Sequence, residues 1–317
     1  MKDREPVGII GAGSMGVAWA VVFARGGHAV RLYEPDQARH PLAQAEFGAI
    51  LAELETRGLL TEPASGLHAR VSWHSAMATA LAGVVFCIEC APERADIKAA
   101  IFAEAIACLP QGAILASSSS AIPISQVSAE HPSRERTLVV HPLNPPFLLD
   151  VVELVPAEYT DPAVVERAAL LLEEAGMAPV RVKREIEGFL FNRLQGALLR
   201  EAYCLVRDGI ADVADVDRAI SEGLGIRWSV IGPFETVDLN TRGGIRAHAE
   251  RLGPAYARMG AARGQNDPWT PDLVDKVDGE RRNLLPLDQW QERVSWRDRR
   301  MMDIKALRRT AAWRDET

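Results

Sequence analysis

The sequence predicts an α/β fold: a doubly wound, largely parallel sheet domain followed by a smaller all-helical domain. Short β-branched runs alternate with helix-length segments from Val7 to Val182, which implies crossovers and a sheet covered on both faces. A glycine-rich turn follows the first of these runs. Beyond Gly188 the strand signal stops, and apolar residues recur at helical spacing.

Taken in order, the strand candidates are Val7–Ile10, Ala29–Tyr33, Val84–Ile88, Ile114–Ala116, Thr137–Val140, Val151–Val155 and Pro179–Val182. Phe191, Leu194, Leu198, Ala202 and Leu205 then share one helical face, and Ala214–Leu224 and Pro286–Arg309 continue the helical pattern. Arg263–Pro271, rich in Gly, Asn, Asp and Pro, reads as a loop. In the last helix, Trp290, Val294, Met301, Ile304 and Leu307 form a stripe expected to be buried. The natural boundary divides a domain of residues 1–185 from one of residues 186–317.

Composition narrows the classes. A chain of 317 residues is long enough for two cores, and 48% hydrophobic with 25% charged residues is ordinary for a globular enzyme. The net charge of −7 argues against a nucleic-acid partner, because phosphate neutralisation needs a basic excess. The apolar run ending at Gly11 is too short for a signal-peptide core, and no stretch approaches a membrane span. The expected location is therefore the cytoplasm, with no membrane partner. Cys87 and Cys90 have CxxC spacing but lie in a strand-like run with no further ligands at metal spacing. They read as buried small residues, and no metal is expected.

Gly11-Ala12-Gly13-Ser14-Met15-Gly16 follows the first strand and opens a helix. Gly11 permits the tight turn, Gly13 lets backbone approach a pyrophosphate, and Gly16 lets the helix pack on the strand. The helix N-terminus favours the anion through its free N–H groups and dipole. Glu34 closes the second strand, 23 residues after Gly11. A carboxylate there can accept from adenosine ribose hydroxyls and repels a 2′-phosphate, so the expected cofactor of this Rossmann-type domain is NAD.

His141 stands at the carboxyl end of the fifth predicted strand, where ligands bind in doubly wound sheets. Glu153 interrupts the apolar run Val151–Val155. A carboxylate in such a run needs a partner, and a histidine would be held by it in one tautomer with raised basicity. Read alone, the two residues are equally well a strand terminus and a solvent-facing acid. Ser117-Ser118-Ser119-Ser120 ends another strand, and Asn192 lies early in the first helix of the second domain. By themselves the serines read as a polar loop and the asparagine as a surface residue.

Together these segments resemble the 3-hydroxyacyl-CoA dehydrogenase superfamily, most closely its λ-crystallin / L-gulonate 3-dehydrogenase branch. The resemblance runs from about Pro6 to Arg309. It is carried by Gly11–Gly16, Glu89–Glu93 with Lys98, Ser117–Ser120, His141–Pro146, Val151–Pro156, Gly188–Leu194, Gly223–Glu235 and Trp296-Arg297-Asp298. It implies a Rossmann domain, a helical dimerisation domain and a homodimer. It further implies His141 and Glu153 as the catalytic pair, Ser120 as the hydroxyl on the substrate oxygen, and Asn192 as a polar group completing the site. Ser14, Met15, Glu93, Lys98 and Asn144 become cofactor contacts. The branch often has Asp where this chain has Glu34, which keeps the acid and lengthens it.

Arg227, in Gly225-Ile226-Arg227-Trp228, resembles an arginine of the branch acting on free hydroxy acids and would anchor a carboxylate bidentately. No lysine occurs between Lys2 and Lys98, a region where CoA-type relatives commonly carry basic residues, although Arg39, Arg57 and Arg70 could substitute. The expected activity is NAD-dependent oxidation of the 3-hydroxyl of a small L-gulonate-like acid, with His141 as general base. Alternatives are a 3-hydroxyacyl-CoA or carnitine-type substrate, or a non-catalytic crystallin-like NADH-binding structural protein. The intact Ser120, His141, Glu153 and Asn192 set argues against the last. Because Glu34 is placed to hold the ribose hydroxyls, the specificity constant with NAD should exceed that with NADP. Equal constants in steady-state assays would remove that role from Glu34.

Overall fold

A computed structural model describes residues 4–229, 231–241, 244–263, 272, 275, 283 and 286–308, with the backbone only at 287, 290, 291, 293, 294, 297, 300 and 308. Its sheet has eight strands in the order β3-β2-β1-β4-β5-β6-β7-β8. They are β1 (Arg4–Ile10), β2 (His28–Tyr33), β3 (Val71–His74), β4 (Phe86–Glu89), β5 (Ile114–Ser117), β6 (Thr137–Pro142), β7 (Val151–Pro156) and β8 (Ala178–Arg181). The order reverses on either side of β1, the doubly wound pattern that leaves a crevice beyond the strand ends. The seven expected strands are present. The sequence reading missed β3, a four-residue edge strand (Val-Ser-Trp-His) too short and too polar to announce itself.

One pairing departs from parallel. β6 and β7 run antiparallel, with His141 opposite Glu153, because the connection through Leu143–Asp150 is too short for a crossover. That hairpin-like link puts the two residues on neighbouring strands at the same level.

Helix α1 (Ser14–Arg25) is buried from Gly16 to Ala24 and is the centre of the core, with Trp19 and Phe23 stacked at 5.4 Å. Val7, Ile9, Phe86, Ile114 and Leu138 meet it from the sheet, while Phe47, Leu51 and Leu54 reach it from α2 (Arg39–Thr56). The opposite face is filled by Leu81, Phe102, Leu115, Val139 and Phe189.

Compact units divide at Arg193/Leu194, and the described chain from Ser295 onward groups with the sheet unit rather than the helical one. The expected boundary at residue 185 therefore falls earlier, and the expected run of the helical domain to residue 317 does not allow for this return. The cause is packing. Met302 is buried in the sheet unit's core, Asp303 pairs with Arg57, and Lys305 pairs with Asp150. Of the expected terminal stripe, Met301 packs on this core, whereas Ile304 and Leu307 are exposed. The side chains of Trp290 and Val294 lie outside the described residues, as does Arg309.

The helical unit includes Val213–Arg218 continuing as Ala219–Leu224, then Gly225–Trp228, Pro233–Asn240 and Gly244–Arg263. The loop expected after Arg263 lies outside the described residues. Helix α8 (Phe191–Arg207) crosses the unit boundary. Its expected apolar face is only partly covered by the described residues: Leu194 and Leu198 are exposed, Phe191, Ala202 and Leu205 are half-buried, and the fully buried residues are Cys204 and Val206. No helix among the described residues is long and apolar enough to cross a membrane.

Candidate active site

The glycine loop is shaped for a dinucleotide. Gly11 has φ of 100°, a left-handed conformation that favours glycine, and its N–H donates to the Tyr33 carbonyl at 2.8 Å. A Cβ on Gly16 would stand 1.8 Å from the Gly11 carbonyl oxygen, so helix and loop pack without room for a side chain. Gly13 caps α1 with no side-chain hydrogen bond, and the space over it is open. The first-turn amides are thus left to an anion such as pyrophosphate. Ser14 is exposed there and Met15 half-buried. Glu34 reaches back from β2, its Oε2 accepting from the Ala12 N–H at 3.0 Å.

Beyond β5, a second carboxylate organises the serine loop. Glu93 Oε1 accepts from Ser119 Oγ at 2.5 Å and from the Ser120 and Ala121 amides at 3.0 Å each. Burial works against the Glu93 charge, but these donors and the Lys98 ammonium together hold its carboxyl below the usual range. Lys98 is itself buried. Its ammonium donates to Glu89 at 2.9 and 3.0 Å and to the Ala91 carbonyl at 3.2 Å, and it lies 3.5 Å from Glu93 Oε2. Lys98, an expected cofactor contact, is here buried against these acids. Its charge is spent beneath the surface, behind Glu93. Glu89, which the sequence places in the segment Glu89–Glu93 without a role of its own, also accepts from Ser117 Oγ at 2.8 Å and is fully buried. The signal available was an acid in an apolar strand, at its end here and within the run at Glu153.

His141 and Glu153 meet. His141 Nδ1 lies 2.7 Å from Glu153 Oε2, with both side chains buried. With the carboxylate accepting, the neutral imidazole is held with its proton on Nδ1 and its lone pair on Nε2. Phe189 and Phe191 flank the imidazole with ring centroids at 5.5 and 5.7 Å. The other oxygen, Glu153 Oε1, accepts from the Leu190 N–H at 2.5 Å and the Phe191 N–H at 3.1 Å, which caps the start of α8. Asn192, next along that helix, donates through Nδ2 to the Ser120 carbonyl at 2.6 Å. The structure thereby brings Asn192 to Ser120 and His141 to Glu153 within the sheet unit. Asn144 is exposed on the loop after β6, and Arg227 is exposed in the helical unit.

Burial raises both the Cys87 and Cys90 thiols, which favours the thiol over the reactive thiolate. Among the described residues no group of three or more His, Cys, Asp or Glu side chains is arranged to hold a metal.

Residues 6–186 match the family model described as 3-hydroxyacyl-CoA dehydrogenase, NAD binding domain, and residues 188–283 match the C-terminal domain of the same enzymes. The chain belongs to the 3-hydroxyacyl-CoA dehydrogenase family. Like the family, it is an NAD-dependent oxidoreductase acting on CH–OH groups. It is 34% identical over 305 residues to lambda-crystallin of Oryctolagus cuniculus, covering 95% of each chain. It is 36% identical over 270 residues to L-carnitine dehydrogenase of Streptomyces griseus, covering 85% of this chain and 77% of that one. Among solved structures, 5-formyl-3-hydroxy-2-methylpyridine 4-carboxylic acid 5-dehydrogenase, an NAD+-dependent dismutase, superposes with a TM-score of 0.83 at 27% identity. It covers 96% of this chain and 98% of that one.

The two-sided use of Glu153 has a measurable consequence for this dehydrogenase. Glu153→Ala leaves three donors, one buried and two part-buried, without an acceptor, whereas His141→Ala frees only one carboxylate oxygen. In urea denaturation Glu153→Ala should be the more destabilising of the two, by about 1.5–3 kcal/mol, the range for hydrogen bonds to charged groups. Equal losses would mean that Glu153 does not anchor α8.

Proposed function

We propose that this chain oxidises the 3-hydroxyl of a small free hydroxy acid, of the L-gulonate kind, to the 3-keto acid, with His141 as general base. The observation that chiefly supports this reading is the buried 2.7 Å bond from Glu153 Oε2 to His141 Nδ1. It leaves the Nε2 lone pair as the proton acceptor and supplies a negative charge to the imidazolium that forms. His141 takes the hydroxyl proton through Nε2 and returns it in the reverse direction. The Ser120 hydroxyl stabilises charge on the substrate oxygen, and Asn192 holds Ser120 by its carbonyl. NAD, when bound, supplies the hydride acceptor. Gly11, Gly13, Ser14, Met15 and Gly16 would cradle its pyrophosphate and Glu34 its ribose. Glu93 and Asn144 would lie along it, with Lys98 fixing Glu93.

Two observations favour a free acid over a CoA thioester. The arginines that could replace CoA-binding lysines each face an acid: Arg39 with Glu46, Arg57 with Glu53 and Asp303, and Arg70 with Glu62. The substrates named for two relatives, L-carnitine and a pyridine carboxylic acid, are free carboxylic acids. The family's name keeps 3-hydroxyacyl-CoA as the second reading. Arg227 is the proposed carboxylate anchor. A cytoplasmic homodimer completes the proposal, supported by the uncovered apolar residues Leu194, Ile210, Phe234, Leu239 and Met259 of the helical unit.

A panel of gulonate, 3-hydroxybutyrate, carnitine and 3-hydroxybutyryl-CoA, followed by NADH absorbance, tests the substrate class. A free acid should be preferred, and Arg227→Ala should lower its kcat/KM at least about tenfold while NADH affinity holds. Preference for the thioester, or an equal loss on acid and thioester, would overturn the anchor. His141→Ala should bind NADH normally and lose about 10²–10⁴-fold in turnover, the usual share of general base catalysis. Retention of near wild-type turnover, with hydride transfer rate-limiting, would move the base elsewhere. Sedimentation at micromolar concentration should give a dimer, and a stable monomer would count against the proposed interface.

A further inference from the structure

The start of α2 brings a cation to the same residue that Glu34 holds. Glu34 Oε2 accepts from the Ala12 N–H at 3.0 Å, and Arg39 Nε donates to the Ala12 carbonyl at 3.0 Å. A carboxylate and a guanidinium thus grip both polar groups of one residue in the middle of the glycine loop. The turn that joins them is itself tied down. Glu34 Oε1 accepts from the Asp36 N–H at 3.1 Å, and His40 Nε2 lies 2.8 Å from the Glu34 carbonyl. Arg39 Nη2 lies 3.3 Å from Glu46 Oε2, Nη1 has no hydrogen bond among the described residues, and the side chain keeps 33% of its exposure. By sequence Arg39 counted as a stand-in for a CoA-binding lysine. Its contacts put it on the nucleotide loop instead.

We propose that Arg39 is a nucleotide-specificity residue, a cation beside the ribose 2′ position whose capacity to hold a 2′-phosphate is cancelled by Glu34. The proposal rests on the reading of Glu34 as the ribose contact. Glu34, Arg39 and Glu46 together carry one net negative charge, which repels a phosphate dianion and leaves a neutral ribose diol free to donate to Glu34. An arginine near this position is the usual means of accepting a 2′-phosphate, because its planar fork matches phosphate oxygens. Cofactor choice in this chain is then a balance between two opposed charges on one peptide, and not the absence of a phosphate site. A glutamine at position 34 keeps an oxygen for the Ala12 N–H while removing the charge, and the Asp36 N–H it gives up is exposed to water, so the loop should hold its shape as the balance tips.

The test is fluorescence titration of NADH and NADPH into the full chain, without substrate. The wild type should bind NADH well and NADPH poorly. Glu34→Gln should weaken NADH several-fold and tighten NADPH at least about tenfold, the scale of one charge-assisted contact. Adding Arg39→Met to Glu34→Gln should abolish the NADPH gain. Adding Arg39→Lys instead should keep most of it, because the charge remains although the Nε bond to Ala12 is lost. A role confined to bracing the loop would not be rescued by lysine. Weakened NADH without any NADPH gain, or a gain that survives Arg39→Met, overturns the proposal alone. Unchanged NADH affinity in Glu34→Gln overturns the ribose reading of Glu34, and the proposal with it.

Discussion

The fully buried carboxylate of Glu153 is the interaction on which the rest of the site depends. A lone carboxylate in such a place costs several kcal/mol, so it persists only where donors surround it. Three do: His141 Nδ1, Leu190 N–H and Phe191 N–H. Each is fixed in turn by the charge it serves. The imidazole is held in one tautomer, and the chain leaving the sheet is obliged to begin a helix at this point. The turn that delivers those amides is unusual. Gly188 and Phe189 both have positive φ, 77° and 48°, and Phe189 pays a steric cost that glycine avoids. Full burial of the Phe189 ring against His141 offsets that cost.

The same design recurs three strands away. Glu89 ends β4 as a buried acid, saturated by Lys98, Ser117 Oγ and the Ala91 N–H. Lys98 passes the arrangement on to Glu93, which gathers the amides of the serine loop. Backbone carrying Ser120 is therefore fixed by a carboxylate on one side and by Asn192 on the other. In a low-dielectric interior such a network holds its shape only when every member is satisfied. That condition explains why acids within apolar strands mark the site better than its surface residues do.

Much of this was legible along the chain. Alternating β-branched runs located seven of the eight strands, since a buried parallel strand needs a continuous apolar segment. The glycine spacing located the nucleotide loop, because each glycine answers a separate steric demand at Gly11, Gly13 and Gly16. The pairing of His141 with Glu153 was legible as an argument about a costly buried acid and as an implication of the family resemblance. Less was visible where side chains chose among several partners. Nothing in the spacing of Glu93 and Lys98 indicates that one faces the serine loop and the other a buried acid. The stripe from Leu194 to Leu205 has the period of a buried face, yet period alone cannot say whether the covering surface belongs to the same chain.

By itself the sequence determined the fold class, the nucleotide loop, the position of His141 at a strand end and the place of Glu153 in an apolar run. Those properties follow from local periodicity, backbone conformational demands and the cost of burying charge, all of which act within a few residues. Only the tertiary structure decided the antiparallel β6–β7 register that sets His141 opposite Glu153. It alone showed the second use of that carboxylate at the start of α8, the withdrawal of Lys98 beneath Glu93, the return of the chain after Ser295 to the sheet unit, and the grip of Arg39 on Ala12. These contacts join residues far apart in the chain. A hydrogen bond has a reach of about 3 Å, so which long-range partner a side chain takes is settled by where the sheet and helices carry it.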